Sequence, residues 1–214
     1  MVLRLKNFYK AYPGGSKILD IPSLEIPSGI HWIKGRNGSG KTTFFKSIAG
    51  IIPSEGEILL SQNYEIRRNP VEYRLRVNYS EAEPLFPAFL SGREILEFIA
   101  SAKQTSSSEK EQLVESLGLS LFFENPCGTY SSGMLKKLSL AMAFLGKPEL
   151  IMLDEPLITI DQVSVQILTR LIADFRNEKG VSFLISSHQD FDPRELSPDA
   201  VFQVEGGKIL PLQA

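Results

Sequence analysis

Apolar residues follow two different rhythms along the chain. Val2, Leu3, Leu5 and Phe8 mark a first strand, and a turn follows at Tyr12-Pro13-Gly14-Gly15. In ILDIPSLEIPSGIHWIK the prolines predict two short strands, broken at Pro22 and Pro27, because proline cannot donate to a ladder. Ile30 to Lys34 leads into a glycine-rich loop and an expected helix, Lys41 to Ala49; Glu57–Leu60 and Leu75–Tyr79 read as further short strands.

From Ser91 the period lengthens. Ser91 and Glu94 have capping-box spacing, and Ile95, Phe98, Ile99 and Ala102 recur at helical intervals. KQTSSSEKE interrupts, and a second helix through Leu113, Val114 and Leu117 is expected to end near Gly118. The helical run spans about Pro84 to Tyr130, which divides one domain of residues 1–214 into a core (1–83 and 137–214) and a helical subdomain (84–136). A longer helix then carries Met134, Leu138, Ala141 and Leu145 on one face. LIMLD is wholly apolar up to its closing acid, as a strand buried on both faces should be. Leu168, Leu171, Ile172 and Phe175 predict another helix, VSFLISS another buried strand, and VFQVEGGKIL a closing hairpin. Strands alternating with helices imply an α/β fold with a mainly parallel sheet.

Composition narrows the class. Of 214 residues 43% are hydrophobic and 22% charged, which suits a packed domain and argues against long disorder. A net charge of −2 gives no reason to expect direct nucleic-acid binding. Cys127 stands alone, so no internal disulfide forms and a reducing compartment is expected. No run approaches the roughly 18 apolar residues of a membrane span, and MVLRLKNFYK lacks a signal-peptide core, so a cytosolic protein is expected.

Two stretches carry phosphate chemistry. GRNGSGKT, Gly35 to Thr42, fits the phosphate-loop pattern between an expected strand and an expected helix. Its glycines let backbone N–H groups curl inward, Lys41 offers a charge to the β- and γ-phosphates, and the Thr42 hydroxyl can coordinate Mg²⁺. YSSGMLKK, from Tyr130, is a second small-residue turn opening a helix, a terminus that offers N–H groups to an anion. Asp154 ends an apolar strand with Glu155 beside it, an acid placed to hold Mg²⁺ and another to polarise attacking water; His188 ends another such strand.

The succession GRNGSGKT, YSSGM, LIMLDEP, ITID and SSH resembles the nucleotide-binding subunit of an ATP-binding cassette (ABC) transporter over nearly the whole chain. The resemblance implies an ABC ATPase fold: a P-loop core with a mainly parallel sheet, N-terminal antiparallel β strands and an inserted α-helical subdomain. It implies a head-to-tail dimer, with itself or a homologous subunit, in which ATP on one loop is capped by the other subunit's signature. Nucleotide contacts fall to Tyr12, Gly35, Asn37, Gly38, Ser39, Gly40, Lys41, Thr42, Thr43, Ser131, Gly133 and Asp161; Mg²⁺ to Thr42 and Asp154; catalysis to Glu155, His188 and Lys41. Tyr12 matches the adenine-stacking aromatic, with Tyr9 as rival; Ser131 and Asp161 also read as helix caps. FLSGREIL imitates the signature, but its position and the Ser91–Glu94 cap favour Ser131.

Three departures stand out. Ala82 occupies the position of a metal-sensing glutamine, leaving Glu81 or Glu83 either to reach the metal shell or to remain solvated. Ser132 replaces a signature glycine, and Leu157 and Ile158 make the loop before Asp161 more apolar than usual. The function implied is an ATPase docking through its helical insert, with Leu85 to Phe89 as a candidate groove, on separate transmembrane permease subunits at the inner face of the cell membrane; small exporter-type systems are favoured. A soluble cassette ATPase serving cofactor assembly or regulation, and a monomeric P-loop kinase using Arg67, Arg68, Arg74 and Arg76, are the alternatives.

Overall fold

Two sheets organise the residues described by the computed structural model, 1–187 and 196–212. The first is antiparallel: β1 (Leu3–Ala11) lies between β2 (Lys17–Ile26) and β4 (Glu55–Leu60), and a short β5 (Tyr64–Glu65) pairs with β4. Contrary to expectation, β2 runs unbroken through Pro22. It is the outer strand, and its ladder with β1 skips the Asn7–Pro22 pair, so the missing N–H leaves no gap in a central ladder. Pro27 does end the strand, and β3 (Ile30–Lys34) follows in the other sheet.

That second sheet has the order β10-β9-β3-β8-β7-β6. Its parallel part comprises β3, β6 (Val77–Ser80), β7 (Leu150–Asp154), β8 (Ser182–Ser186) and β9 (Ala200–Glu205), closed by the antiparallel β10 (Lys208–Leu212). β7 and β8 are buried throughout because both sheet faces are covered. Leu150, Met152 and Leu184 face one core with Phe44, Phe45 and Phe8; Ile151, Leu153, Phe183 and Ile185 face the other, with Leu138, Leu168 and Phe144. The period-two alternation of a strand feeds two cores at once.

Helix α1 (Lys41–Ile48) belongs to the first core, with Phe44, Phe45 and Ile48 fully buried. α2 (Pro70–Arg76) corrects a second expectation, since Leu75 and Arg76 are helical and the strand starts only at Val77. Pro70 in its first turn suits a helix start, and the buried Tyr73 hydroxyl donates to the Ile48 carbonyl at 2.8 Å, fixing the helix on the core. The helical insert contains α3 (Gly92–Ala102) and α4 (Ser107–Ser116), each opened by a full capping box, at Ser91 and Ser106. α5 (Ser132–Ala143) and α6 (Gln162–Lys179) start at Ser131 and Asp161 as N-caps. Of the LFPAF stretch, Leu85 and Phe89 are exposed whereas Phe86 packs inward.

Candidate nucleotide-binding site

The C-terminal ends of β3, β7 and β8 converge, the edge at which parallel α/β sheets bind ligands. The loop leaving β3 is shaped by glycine. A Cβ on Gly35 would lie 2.6 Å from Ser39 Oγ and 2.8 Å from the Val204 carbonyl, and Gly40 takes φ 105, open to glycine alone without strain. Gly40 caps α1 without a side chain, so the first-turn N–H groups stay available to an anion. The largely buried Lys41 reaches back along the loop, donating to the carbonyls of Gly35 at 2.7 Å and Arg36 at 3.3 Å.

Asp154 closes the site from β7. Its carboxylate accepts from the hydroxyls of Thr42 at 2.7 Å, Tyr79 at 3.2 Å and Ser186. Burial, then the charge of Asp154, pushes the Tyr79 phenol far above its usual range, so it remains a donor. Adjacent hydroxyl and carboxylate oxygens suit Mg²⁺, a hard cation that keeps most of its shell for phosphate and water. Glu155 follows with a left-handed backbone, φ 47, unusual for a residue with a side chain.

These elements border a cleft of about 430 Å³ lined by Asn37 to Thr43, Asp154 and Glu155. Ala82, Glu83, Ile18 and Ile158 complete it. Of the two open candidates beside Ala82, Glu81 is paired with Lys46 at 2.9 Å, and Glu83 is the one that lines the cleft. The apolar pair also separates: Leu157 is buried in the core and Ile158 stands at the cleft. Tyr12 is exposed, with the Lys10 ammonium 4.6 Å from its ring centre, and does not line the cleft; Ile18 does. His188 lies outside the described residues.

Ser131, Gly133 and Asp161 form a separate cluster. The exposed Ser131 accepts from the Met134 N–H at 3.3 Å, as an N-cap does. A Cβ on Gly133 would come within 2.6 Å of the Thr159 carbonyl, so the signature turn rests on the loop leading to Asp161. Asp161 caps α6 and pairs with Lys137 of α5 at 2.9 Å; the Lys137 bond, then that from the Ser164 N–H, holds its carboxyl well below the usual range. None of the three lines the phosphate cleft. Ser91 is engaged with Glu94, and the hydroxyl of Tyr130 accepts from the Gly92 N–H.

Sequence reasoning passed over Tyr79, Ser186 and Lys136. Lys136 lies fully buried in α5, donating to the carbonyls of Glu81 at 2.6 Å, Ala82 at 3.3 Å and Asp154 at 2.7 Å. Burial lowers its pKa to about 8 against the upward pull of Asp154, Glu155 and Glu81. No sequence signal marks it: Lys136 falls on the side of α5 away from Met134, Leu138 and Ala141, alongside Ser139, Leu140 and Ala143, which the fold buries as well. Tyr79 and Ser186 meet Asp154 because β6 and β8 flank β7, an order that spacing does not encode.

A glycine loop, a buried aspartate in contact with the loop threonine and an adjoining glutamate define a P-loop ATPase. The ABC transporter family model matches residues 19–158. The chain is 31% identical over 215 residues to the bacitracin transport ATP-binding protein BcrA of Bacillus licheniformis, covering 98% of this chain and 68% of that one. It is 32% identical over 213 residues to the phospholipid-transporting ATPase ABCA7 of Homo sapiens, covering 96% of this chain but only 10% of that much longer protein. In fold it is similar to an ATP-binding cassette solved as a dimer after hydrolysis with ADP and Pi, with a TM-score of 0.80 at 20% identity over 99% of each chain. The chain belongs to the ABC transporter family and is an ATP-binding, ATP-hydrolysing subunit. No helix among the described residues is long and apolar enough to cross a membrane.

Proposed function

We propose that two copies of the chain, or one copy and a homologous subunit, close head to tail over two ATP molecules and drive transport through separate permease subunits at the inner face of the membrane. One observation carries the reading: the exposed terminus of α5 offers a serine cap and first-turn N–H groups, and neither Ser131 nor Gly133 lines its own chain's cleft. In such a pair Lys41 and the loop N–H groups hold the β- and γ-phosphates. Thr42 and Asp154 hold Mg²⁺, which when bound neutralises phosphate charge. Glu155 accepts a proton from the attacking water. The partner's α5 terminus adds charge-assisted bonds to the γ-phosphate, each worth about 1.5–3 kcal/mol. ADP lacks that group, so hydrolysis removes the contact that holds the pair shut.

Sedimentation of Glu155→Gln with ATP and Mg²⁺ tests this. A dimer with ATP and a monomer with ADP are expected, and adding Ser131→Arg should restore the monomer while nucleotide still binds. A monomer at saturating ATP would overturn the pairing. The kinase alternative loses its lid: Arg67 bonds the Ser54 carbonyl and Glu55, Arg76 pairs with Glu149, and none of the four arginines lines the cleft.

For docking, the supporting feature is an apolar groove of about 480 Å³ between α2 and α3, lined by Ile51, Val71, Leu75, Ile99 and Met142. Leu85 and Phe89 are not part of it, though their exposure leaves them available to a partner. Val71→Glu should release the chain from detergent-solubilised membrane complexes without changing ATP affinity; recovery of wild type only in lipid-free complexes would favour the cofactor-assembly or regulatory role. Similarity to a bacitracin-transport subunit favours a peptide antibiotic as cargo, to be read as bacitracin tolerance in a host that depends on this chain.

A further inference from the structure

The peptide group joining Asp154 to Glu155 is held at both ends. Its carbonyl accepts from the Lys136 ammonium at 2.7 Å, and its N–H donates to the Ser186 carbonyl at 2.9 Å and to Ser186 Oγ at 3.2 Å. The next torsion along the chain is the φ of Glu155, at 47. A side-chain-bearing residue persists there only when its surroundings over-determine it. The plane of this peptide sets where the Glu155 Cβ points, and hence where its carboxylate enters the cleft. Lys136 has the chemistry to fix that plane. An ammonium carries three donors, and here three carbonyls take them, with the side chain fully buried. The two other carbonyls, of Glu81 and Ala82, belong to the segment that carries Glu83 along the same cleft.

We infer that Lys136 is a positioning residue for Glu155: from the helix opened by Ser131 it locks the 154–155 peptide, so that the glutamate is aimed at the attacking water. This rests on the reading of Glu155 as the proton acceptor. Removing the strut releases the carbonyl end of the peptide, with Ser186 still holding its N–H, and leaves untouched the bond from Thr42 to the Asp154 carboxylate. The expected defect is therefore in turnover and not in binding.

The test is a mutant cycle on the full chain, with kcat and KM for ATP, affinity for a fluorescent ATP analogue, and melting temperature as readouts. Lys136→Met should lower kcat about 30- to 100-fold, the scale of a displaced catalytic group, with KM and analogue affinity nearly unchanged. Lys136→Gln, which keeps two donors, should lose only about threefold. In a Glu155→Gln background Lys136→Met should add nothing, because a residue acting through Glu155 has no further effect once the carboxylate is gone. Wild-type kcat in Lys136→Met, or losses that multiply with those of Glu155→Gln, would overturn the inference and leave Glu155 in place. Undiminished turnover in Glu155→Gln itself would instead remove the acceptor role on which it rests. If Lys136→Met does not fold, the same cycle with Lys136→Gln decides: a non-additive loss supports the strut, and wild-type kcat or a multiplicative loss refutes it.

Discussion

Asp154 shows how much a single residue can organise. Three hydroxyls converge on its carboxylate, from α1, β6 and β8, so one buried charge registers the loop helix against two strands. Such bonds to an ionised acceptor are stronger than neutral ones, and losing them is costly in a buried site. Lys41, by contrast, bonds among the described residues to two loop carbonyls, contacts that phosphate oxygens can replace at small structural cost. Lys41→Met should therefore weaken ATP binding by about 10- to 100-fold while the melting temperature stays close to wild type, as titration with a fluorescent nucleotide and a thermal melt would show. Ser91 and Ser131 look alike in sequence and both cap helices. Ser91→Ala should cost about 1 kcal/mol of stability and leave ATPase activity unchanged, and a denaturant titration beside an ATPase assay separates the two effects.

Individual elements differ in how far their own sequence defines them. GRNGSGKT, LIMLD and the Ser91 cap are local devices in which every requirement lies within a few neighbouring residues, and each formed where expected. β2 and α2 departed from expectation for tertiary reasons. Edge position made Pro22 harmless, and the buried Tyr73 contact drew Leu75 and Arg76 into a helix. α3 is tied down at its end by Lys103, whose ammonium donates to the carbonyls of Arg74 and Val77. Burial lowers the pKa of that group from 10.5 to about 8. Between those values the unfolded chain keeps a proton that the folded chain has released, so stability rises with pH across that interval. Lys103→Met should flatten this rise, seen as a smaller gain in melting temperature from pH 8 to 10 than wild type shows. Within β7, Ile151 and Met152 face opposite cores, and truncating either to alanine should cost about 2–5 kcal/mol in denaturant unfolding.

At the scale of the whole molecule, the α5 terminus does not line the cleft that the phosphate loop borders. Nucleotide should accordingly stabilise in two stages. Binding at 100 times Kd contributes about 2.7 kcal/mol to one chain, which for a domain of this size raises the melting temperature by roughly 5–10 °C. ATP in the Glu155→Gln variant should add a further, protein-concentration-dependent increment that ADP does not, because association is then part of the folded state. A calorimetric series over protein concentration checks this.

By itself the sequence determined the phosphate loop, the acidic strand end, the capped helices and the alternating α/β order, because backbone shape, charge and periodicity act over short separations. The separation of the signature turn from its own cleft, the hydroxyls around Asp154, the pairing that removes Glu81 and the burial of Lys136 were decided only by tertiary structure. Each depends on which strands lie side by side and which helix face turns inward. Packing settles those choices over the whole chain, and no local spacing records them.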